Sequence, residues 1–445
     1  MNIKQFEYKP LSHYSYAIVS EGKMAVIDPE RDPSQYYQYA EDSGATIVAV
    51  FETHPHADFI SSHLQILQET GATIYNSEKT GADYPHQSFD EGDTLQLGKI
   101  EISALNTPGH SPDSITIVAK DGNATALFTG DTIFIGDVGR PDLRESAGNL
   151  KSKRQDLAEA MYNTVTTKFK NLPDAALIFP AHGAGSLCGK SMSDANSSTL
   201  GNERMGNWAF KEQTKEEFVN VLLENQPFIP SYFGYDVEMN KTGAENLRKS
   251  ISEIPFKLNS SIDDKNVIVD IRDEAIYKKG HVSGSFNIQA TSANSKFETW
   301  LGAIVKPNED FHIVIESSSD LEGILNRVSK IGYEKSLKSV ITLNEAEIEK
   351  TDILDLDHFK NHPEEYTIID IRNKSEVEEG KFFKNALSHP LNDLRNSFDE
   401  IPSAKPIVVH CAGGYRSAAG SSILENKFEN TKVFDLGEAV KEFQD

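Results

Sequence analysis

Apolar positions in the first half of the chain come in short runs with β-type spacing. Runs at 15–19, 24–28, 47–52, 100–105, 114–118 and 124–129 read as strands, while helical spacing appears at 33–42 and 60–70. Beyond about residue 240 the plan changes to two copies of a small α/β unit. Val267-Ile268-Val269-Asp270-Ile271-Arg272 in the first copy matches Ile368-Ile369-Asp370-Ile371-Arg372 in the second. These patterns divide the chain into residues 1–240, 241–345 and 346–445, with linkers near 227–230 and 343–352.

Composition narrows the classes. A chain of 445 residues exceeds what one core supports, so about three domains are expected. A formal charge of -24 argues against a nucleic-acid partner, which calls for a basic face. Cys188 and Cys411 are the only cysteines, so there is no disulfide framework and a reducing compartment is expected. The start, Met1-Asn2-Ile3-Lys4-Gln5-Phe6, has no apolar signal core, and no apolar stretch is long enough to span a bilayer. These features lead us to expect a soluble cytoplasmic protein without a membrane partner, forming a homo-oligomer.

Residues able to hold a metal stand where several strand-like runs end. His54, His56 and Asp58 follow one run, His110 another, Asp131 a third and His182 a fourth. One histidine carries little information, but four such sites, each after a β run, point to a metal centre on one rim of a sheet sandwich. Phe59 stands directly after Asp58.

A second chemistry lies near the C-terminus. The apolar run Ile407-Val408-Val409 leads into Cys411-Ala412-Gly413-Gly414-Tyr415-Arg416-Ser417, followed by helical spacing. Backbone N–H groups, a helix N-terminus and a guanidinium all favour a thiolate. The cradle between Cys411 and Arg416 is one residue shorter than that of cysteine phosphatases, a size suited to a sulfane sulfur. Aligning the strand before this loop with its counterpart in the first copy sets Glu316 against Cys411 and Leu321 against Arg416, so the first copy should be catalytically silent.

The Cys411 loop, with Asp370-Ile371-Arg372 upstream, resembles the rhodanese sulfurtransferases. That likeness implies a persulfide on Cys411 and an anionic acceptor held by Arg416, in a loop completed by Gly413, Gly414, Tyr415 and Ser417. Arg372 or Arg395 could help, or could serve as structural ion-pair partners. In order and spacing, His54-Pro55-His56-Ala57-Asp58, Gly109-His110, Gly130-Asp131 and Ala181-His182 resemble the metallo-β-lactamase superfamily. The stretch Gly139-Arg140-Pro141-Asp142 is similar to an element beside the metal in persulfide dioxygenases. Taken whole, the chain resembles bacterial persulfide dioxygenase-sulfurtransferase fusions. This implies an α/β multidomain fold: a metallo-β-lactamase αββα sandwich followed by a degenerate and an active rhodanese-like α/β domain.

The same resemblance implies one Fe(II), with zinc as the alternative, on His54, His110 and Asp131. His56, Asp58, His182, Arg140, Asp142 and Cys188 are then candidates for residues around the metal or against substrate. Cys188 is either a persulfide relay or a spectator thiol. The expected substrates are O2, sulfite and a low-molecular-weight persulfide whose carrier is coenzyme A or another thiol. Three positions depart from the pattern: Phe59 replaces a histidine, Asp113 a glycine, and Gly183-Ala184 the Asp-Tyr of glutathione-linked members. A zinc thioester hydrolase of the glyoxalase II type and a sulfur-carrier scaffold are the competing readings.

Overall fold

The computed structural model describes residues 1–141, 154–262, 265–292, 294–344 and 348–444; Asp142 lies outside the described residues. Met1–Lys249 with Ser329–Gly332 form one compact unit, and Ser250–Val328 with Tyr333–Asp445 form a second.

Two six-stranded sheets make the first unit. One contains, in spatial order, β1 (Asn2–Tyr8), β2 (His13–Ser20), β3 (Lys23–Ile27), β4 (Thr46–Phe51), β5 (Thr73–Asn76) and β6 (Gln87–Ser88). The other contains β7 (Thr94–Leu97), β8 (Ile100–Asn106), β9 (Ile115–Asp121) and β10 (Ala124–Gly130); a hairpin of β11 (Ile133–Phe134) and β12 (Asp137–Val138) intervenes before β13 (Leu177–Pro180) and β14 (Ser198–Thr199) join its edge.

Alternation along the strands decides which side chains go where. Tyr16, Ile18, Ala25, Ile27 and Phe51 face Ile102, Ala104, Ile117 and Phe128 of the opposite sheet. Ala17, Met24 and Val26 point the other way, against Tyr36 and Ala40 of the helix Ser34–Asp42 and Ile66 of the helix His63–Thr70. Val118, Leu127 and Ile178 cover the outer face of the second sheet with Phe169 and Leu200. Each large side chain so buried contributes about 1.5–3 kcal/mol. The result is the αββα sandwich expected from the sequence.

The second unit holds two parallel sheets. In the first, β15 (Phe256–Ser260), β16 (Val267–Asp270), β17 (Phe286–Asn287), β18 (Phe311–Val314) and β19 (Leu337–Leu343) lie in the order β15-β19-β18-β16-β17. The second has β20 (Thr367–Asp370), β21 (Leu387–Ser388), β22 (Ile407–His410) and β23 (Val433–Asp435) in the order β21-β20-β22-β23. Parallel pairing requires crossovers, which helices such as Phe297–Ile304 and Leu321–Lys330 supply. Every residue of β22 is buried, which explains why it reads as a continuous apolar run rather than an alternation.

Register corrects one expectation. Asp270 pairs with Val314 and Asp370 with His410, so the counterpart of Cys411 in the first copy is Ile315, not Glu316. Ile315 is buried as Cys411 is, whereas Glu316 is exposed. The counterpart of Arg416 is accordingly Asp320. The first copy still lacks a nucleophile at this position.

Among the described residues, no helix is long and apolar enough to cross a membrane.

Candidate metal centre and sulfur-transfer loop

The four metal-type segments leave β4, β8, β10 and β13 on one rim of the sandwich, and close backbone packing draws them together. Gly130, at φ 52°, packs so tightly on Thr53 that a Cβ would lie 2.4 Å from Thr53 Oγ1. Ile115 N–H donates to Thr53 O at 2.9 Å, and Ala181 N–H to Gly130 O at 3.0 Å. The ligand atoms of His54, His110 and Asp131 all lie within 4.8 Å of one another, and all three residues are buried.

Both imidazoles are oriented from behind. Thr53 Oγ1 gives its single proton to Asp28 Oδ2 at 2.8 Å, so His54 Nδ1 at 3.1 Å is the donor to Thr53. His110 Nδ1 donates to Arg140 O at 2.8 Å. Each ring thereby presents Nε2 to Asp131, at 3.9 Å for His54 and 3.6 Å for His110. Such backing fixes tautomer and ring plane in metal sites.

The Gly139-Arg140 element packs against Asp131 and His110. A Cβ on Gly139 would overlap Asp131 O, so only glycine lets this segment approach so closely. Arg140 N–H and Nη1 donate to Cys188 O and Leu187 O at 3.0 and 3.3 Å, tying the cysteine segment to the same rim.

These residues fit a metal. Both Asp131 oxygens are buried without an N–H or O–H donor, although the Cys188 thiol faces them. The spacings of 3.6–3.9 Å are too long for hydrogen bonds. They resemble those of ligand atoms each about 2.1 Å from one ion.

Other candidates form a second cluster. His182 Nε2 lies 3.5 Å from Asp58 Oδ2 and 3.6 Å from Asp131 Oδ1. Asp131, His182 and Cys188 also bring their ligand atoms within 4.8 Å, as do His56, Asp58 and His182. Cys188 is therefore beside the centre, 1% exposed, where burial and the charges of Asp131 and Asp58 push its thiol well above the ordinary value.

His56 Nε2 turns to carboxylates, 3.2 Å from Asp28 Oδ1 and 3.5 Å from Glu52 Oε2. Burial works against its charge, but Asp28 and Glu52 outweigh it and hold the imidazole well above its ordinary value. Burial likewise opposes ionisation of Glu52, yet His56 and His63 bring that carboxyl down to about 2. Sequence reasoning missed Asp28, Glu52, His63 and His13. Asp28 carried the available signal, a carboxylate at the end of a strand-like run.

In the second unit, Cys411 follows β22 and is 1% exposed. Gly414 N–H donates to its Sγ at 3.1 Å, and Ser417 Oγ closes the helix start on Gly414 O at 2.8 Å. Tyr415 donates to Gln289 O at 2.8 Å. Arg416 makes two bonds to Glu376, at 2.6 and 2.7 Å. Burial lowers the guanidinium's affinity for its proton, but Glu376 and then Cys411 raise it above the ordinary value. Glu376 was not legible in the sequence, because nothing local marks a helix carboxylate as the partner of a distant loop.

The two other arginines are structural partners. Arg372 clamps Asp370 and donates to Gly380 O at 2.8 Å. Arg272 repeats this on Asp270 and Gly280 O in the copy without a cysteine, so the clamp serves the fold. Arg395 is held by Glu309 and Ile304 O, each at 2.8 Å.

Residues 8–182 match the metallo-beta-lactamase superfamily, and residues 255–340 and 355–445 match the rhodanese-like domain. The chain is 30% identical over 185 residues to persulfide dioxygenase ETHE1, mitochondrial, of Bos taurus, covering 40% of this chain and 66% of that protein. It is 31% identical over 176 residues to a cytoplasmic hydroxyacylglutathione hydrolase of Arabidopsis thaliana, covering 38% of this chain and 63% of that one. Both matches thus span less than two thirds of the relative's length. A crystal structure of a metallo-beta-lactamase from Staphylococcus aureus subsp. aureus COL is 31% identical, with a TM-score of 0.69, and covers 77% of this chain and 99% of its own. The chain belongs to the metallo-β-lactamase superfamily, its N-terminal domain of that fold being followed by rhodanese-like domains.

Proposed function

We propose that this chain is a persulfide dioxygenase-sulfurtransferase. It oxidises a low-molecular-weight persulfide with O2 and water to sulfite and the free thiol, and passes a sulfane sulfur through Cys411 to sulfite, giving thiosulfate. The observation that carries this reading is a face of two imidazoles and one carboxylate, in the same chain as a rhodanese loop. His54, His110 and Asp131 would hold a single Fe(II), a donor set suited to iron with positions left open. When bound, the iron supplies the redox chemistry that joins dioxygen to sulfur.

The chain's own residues do the rest. Thr53 and Arg140 O hold the two imidazoles with Nε2 inward. Asp58, His182 and Cys188 flank the place for the persulfide. In the loop, the Gly414 N–H donates to Cys411 Sγ and Arg416 stands beside it; Cys411, as the thiolate, attacks the terminal sulfur of a persulfide and releases its thiol. Sulfite then takes that sulfur, and Cys411 leaves as thiolate. Gly183-Ala184 stands where the glutathione-linked members of the family this chain resembles carry Asp-Tyr, a departure that supports coenzyme A or another thiol as carrier.

Zinc-dependent thioester hydrolysis is the second reading, favoured by the hydroxyacylglutathione hydrolase likeness. Anaerobic purification, metal analysis and oxygen uptake with coenzyme A persulfide and glutathione persulfide separate the two. Iron with rapid oxygen uptake supports the proposal. Zinc with thioester cleavage and no oxygen uptake overturns it.

A further inference from the structure

We infer that Lys278, in the degenerate copy, is a positioning residue for the Cys411 loop, acting through Asp435 and the Gly437 turn on Gly414. The inference rests on the proposed function only in taking Cys411 as the transfer residue.

The path is continuous. Asp435 ends β23 with its side chain fully buried, and its Oδ2 meets Lys278 Nζ at 2.7 Å. Its Oδ1 accepts the Gly437 N–H at 2.8 Å. Lys278 also meets Glu274 Oε2 at 2.9 Å, so one ammonium stands between two carboxylates. Burial pushes the Glu274 carboxyl up to about 7, and neighbouring Asp435 adds to the rise.

Gly437 adopts the left-handed region at φ 57°, and Gly414 at φ 105° packs directly on the turn it makes. A Cβ on Gly414 would lie 3.0 Å from Glu438 N and 3.2 Å from Gly437 C. The Gly414 N–H in turn donates to Cys411 Sγ at 3.1 Å. The same C-terminal segment grips both sides of the cysteine: Leu436 N–H donates to Val409 O at 2.9 Å, and Gln444 Nε2 to Ala412 O at 2.7 Å.

Removing the ammonium leaves Asp435 buried without its cation, a state that drives the carboxylate to protonate or to swing toward water. Either response disturbs the bond to Gly437, and with it the N–H aimed at the thiolate. A donor of this kind lowers a thiol's pKa, so its loss should appear in the reactivity of Cys411.

The test uses the full chain with Lys278→Met and Lys278→Arg. Iodoacetamide alkylation is followed against pH by peptide mass spectrometry, which resolves Cys411 from Cys188. Thiosulfate-to-cyanide sulfur transfer is measured alongside. In Lys278→Met the Cys411 alkylation profile should move to higher pH, slowing the rate on its rising limb roughly tenfold. Its kcat should fall with little change in KM, and Lys278→Arg should restore most of both. A Lys278→Met protein that melts lower but keeps the wild-type alkylation profile and kcat overturns the inference, because Lys278 is then only structural.

Should Lys278→Met fail to fold, Asp435→Ala removes both the partner of Lys278 and the acceptor of the Gly437 N–H. The same shift is expected of it, and an unchanged profile again overturns the inference. If Cys411→Ser retains full sulfur transfer, the proposed function fails at that step, while the alkylation profiles still decide the role of Lys278.

Discussion

The Phe59 ring lies 3.9 Å, centroid to centroid, from the ring of His13 and 4.4 Å from that of His56. Phe59 is fully buried and stands where two-metal members of the superfamily carry a histidine ligand. An aromatic ring cannot ligate, so a second ion on Asp58 and His182 would have to draw a further ligand from His56, Asp131 or Cys188. Phe59→His should raise the zinc bound after reconstitution from about one toward two ions per chain. Phe59→Leu, costing about 1 kcal/mol, should leave stoichiometry unchanged. Elemental analysis of both decides, and one ion in Phe59→His would show that Phe59 is not the determinant.

Removing the metal should destabilise the first unit alone. A ligand at a hundredfold its dissociation constant adds about 2.7 kcal/mol to the state that binds it. Calorimetry with and without a chelator should show the metal domain's transition moving down. In Asp131→Asn that transition should be insensitive to chelator, because neither buried oxygen pair nor charge remains to hold the ion. A transition in Asp131→Asn that responds as in wild type would remove Asp131 from the ligand set.

How much of this was legible follows from the range of each signal. The αββα alternation and the strand-end histidines are local patterns, and they led to His54, His56, Asp58, His110, Asp131, His182 and the Cys411 loop as candidates, while the choice of three ligands among them rested on the family resemblance. Partners supplied by distant elements were not readable: Glu376 for Arg416, His13 against Phe59, Gly437 under Gly414. Alignment of the two copies by apolar pattern slipped by one residue, because a fully buried parallel strand has no alternation to fix its register. The ladder fixed it instead, setting Ile315 rather than Glu316 opposite Cys411.

Cys411→Ser should leave oxygen uptake intact and change what accumulates. Without the thiolate, sulfite has no sulfane sulfur to accept, so sulfite should replace thiosulfate nearly mole for mole. Product analysis during persulfide turnover reads this directly. Undiminished thiosulfate would require a different sulfur carrier.

Cys188 faces Asp131 and His182, so a relay or a persulfide contact there has a geometric basis. Cys188→Ser should retain iron, since His54, His110 and Asp131 remain, while oxygen uptake falls by ~10-fold, the scale usual for residues flanking metal ligands. Unchanged uptake with unchanged thiosulfate yield would make Cys188 a spectator.

Glu425 gives the second unit a pH dependence. Burial first, then the charges of Glu349 and Asp352, push its carboxyl up to about 7. The unfolded chain releases this proton near the ordinary carboxylate value of about 4.3, whereas the folded chain keeps it to about 7. Between those values the folded state binds more protons, so stability falls as pH rises and levels off above the folded value. Glu274, also held at about 7, acts with the same sign. In Glu425→Gln the decline should therefore be shallower rather than absent, and the variant should melt above wild type at pH 8 while matching it near pH 4. Calorimetry across this range at constant ionic strength checks the slope; an unaltered slope would mean that Glu425 is already ionised in the folded protein at neutral pH.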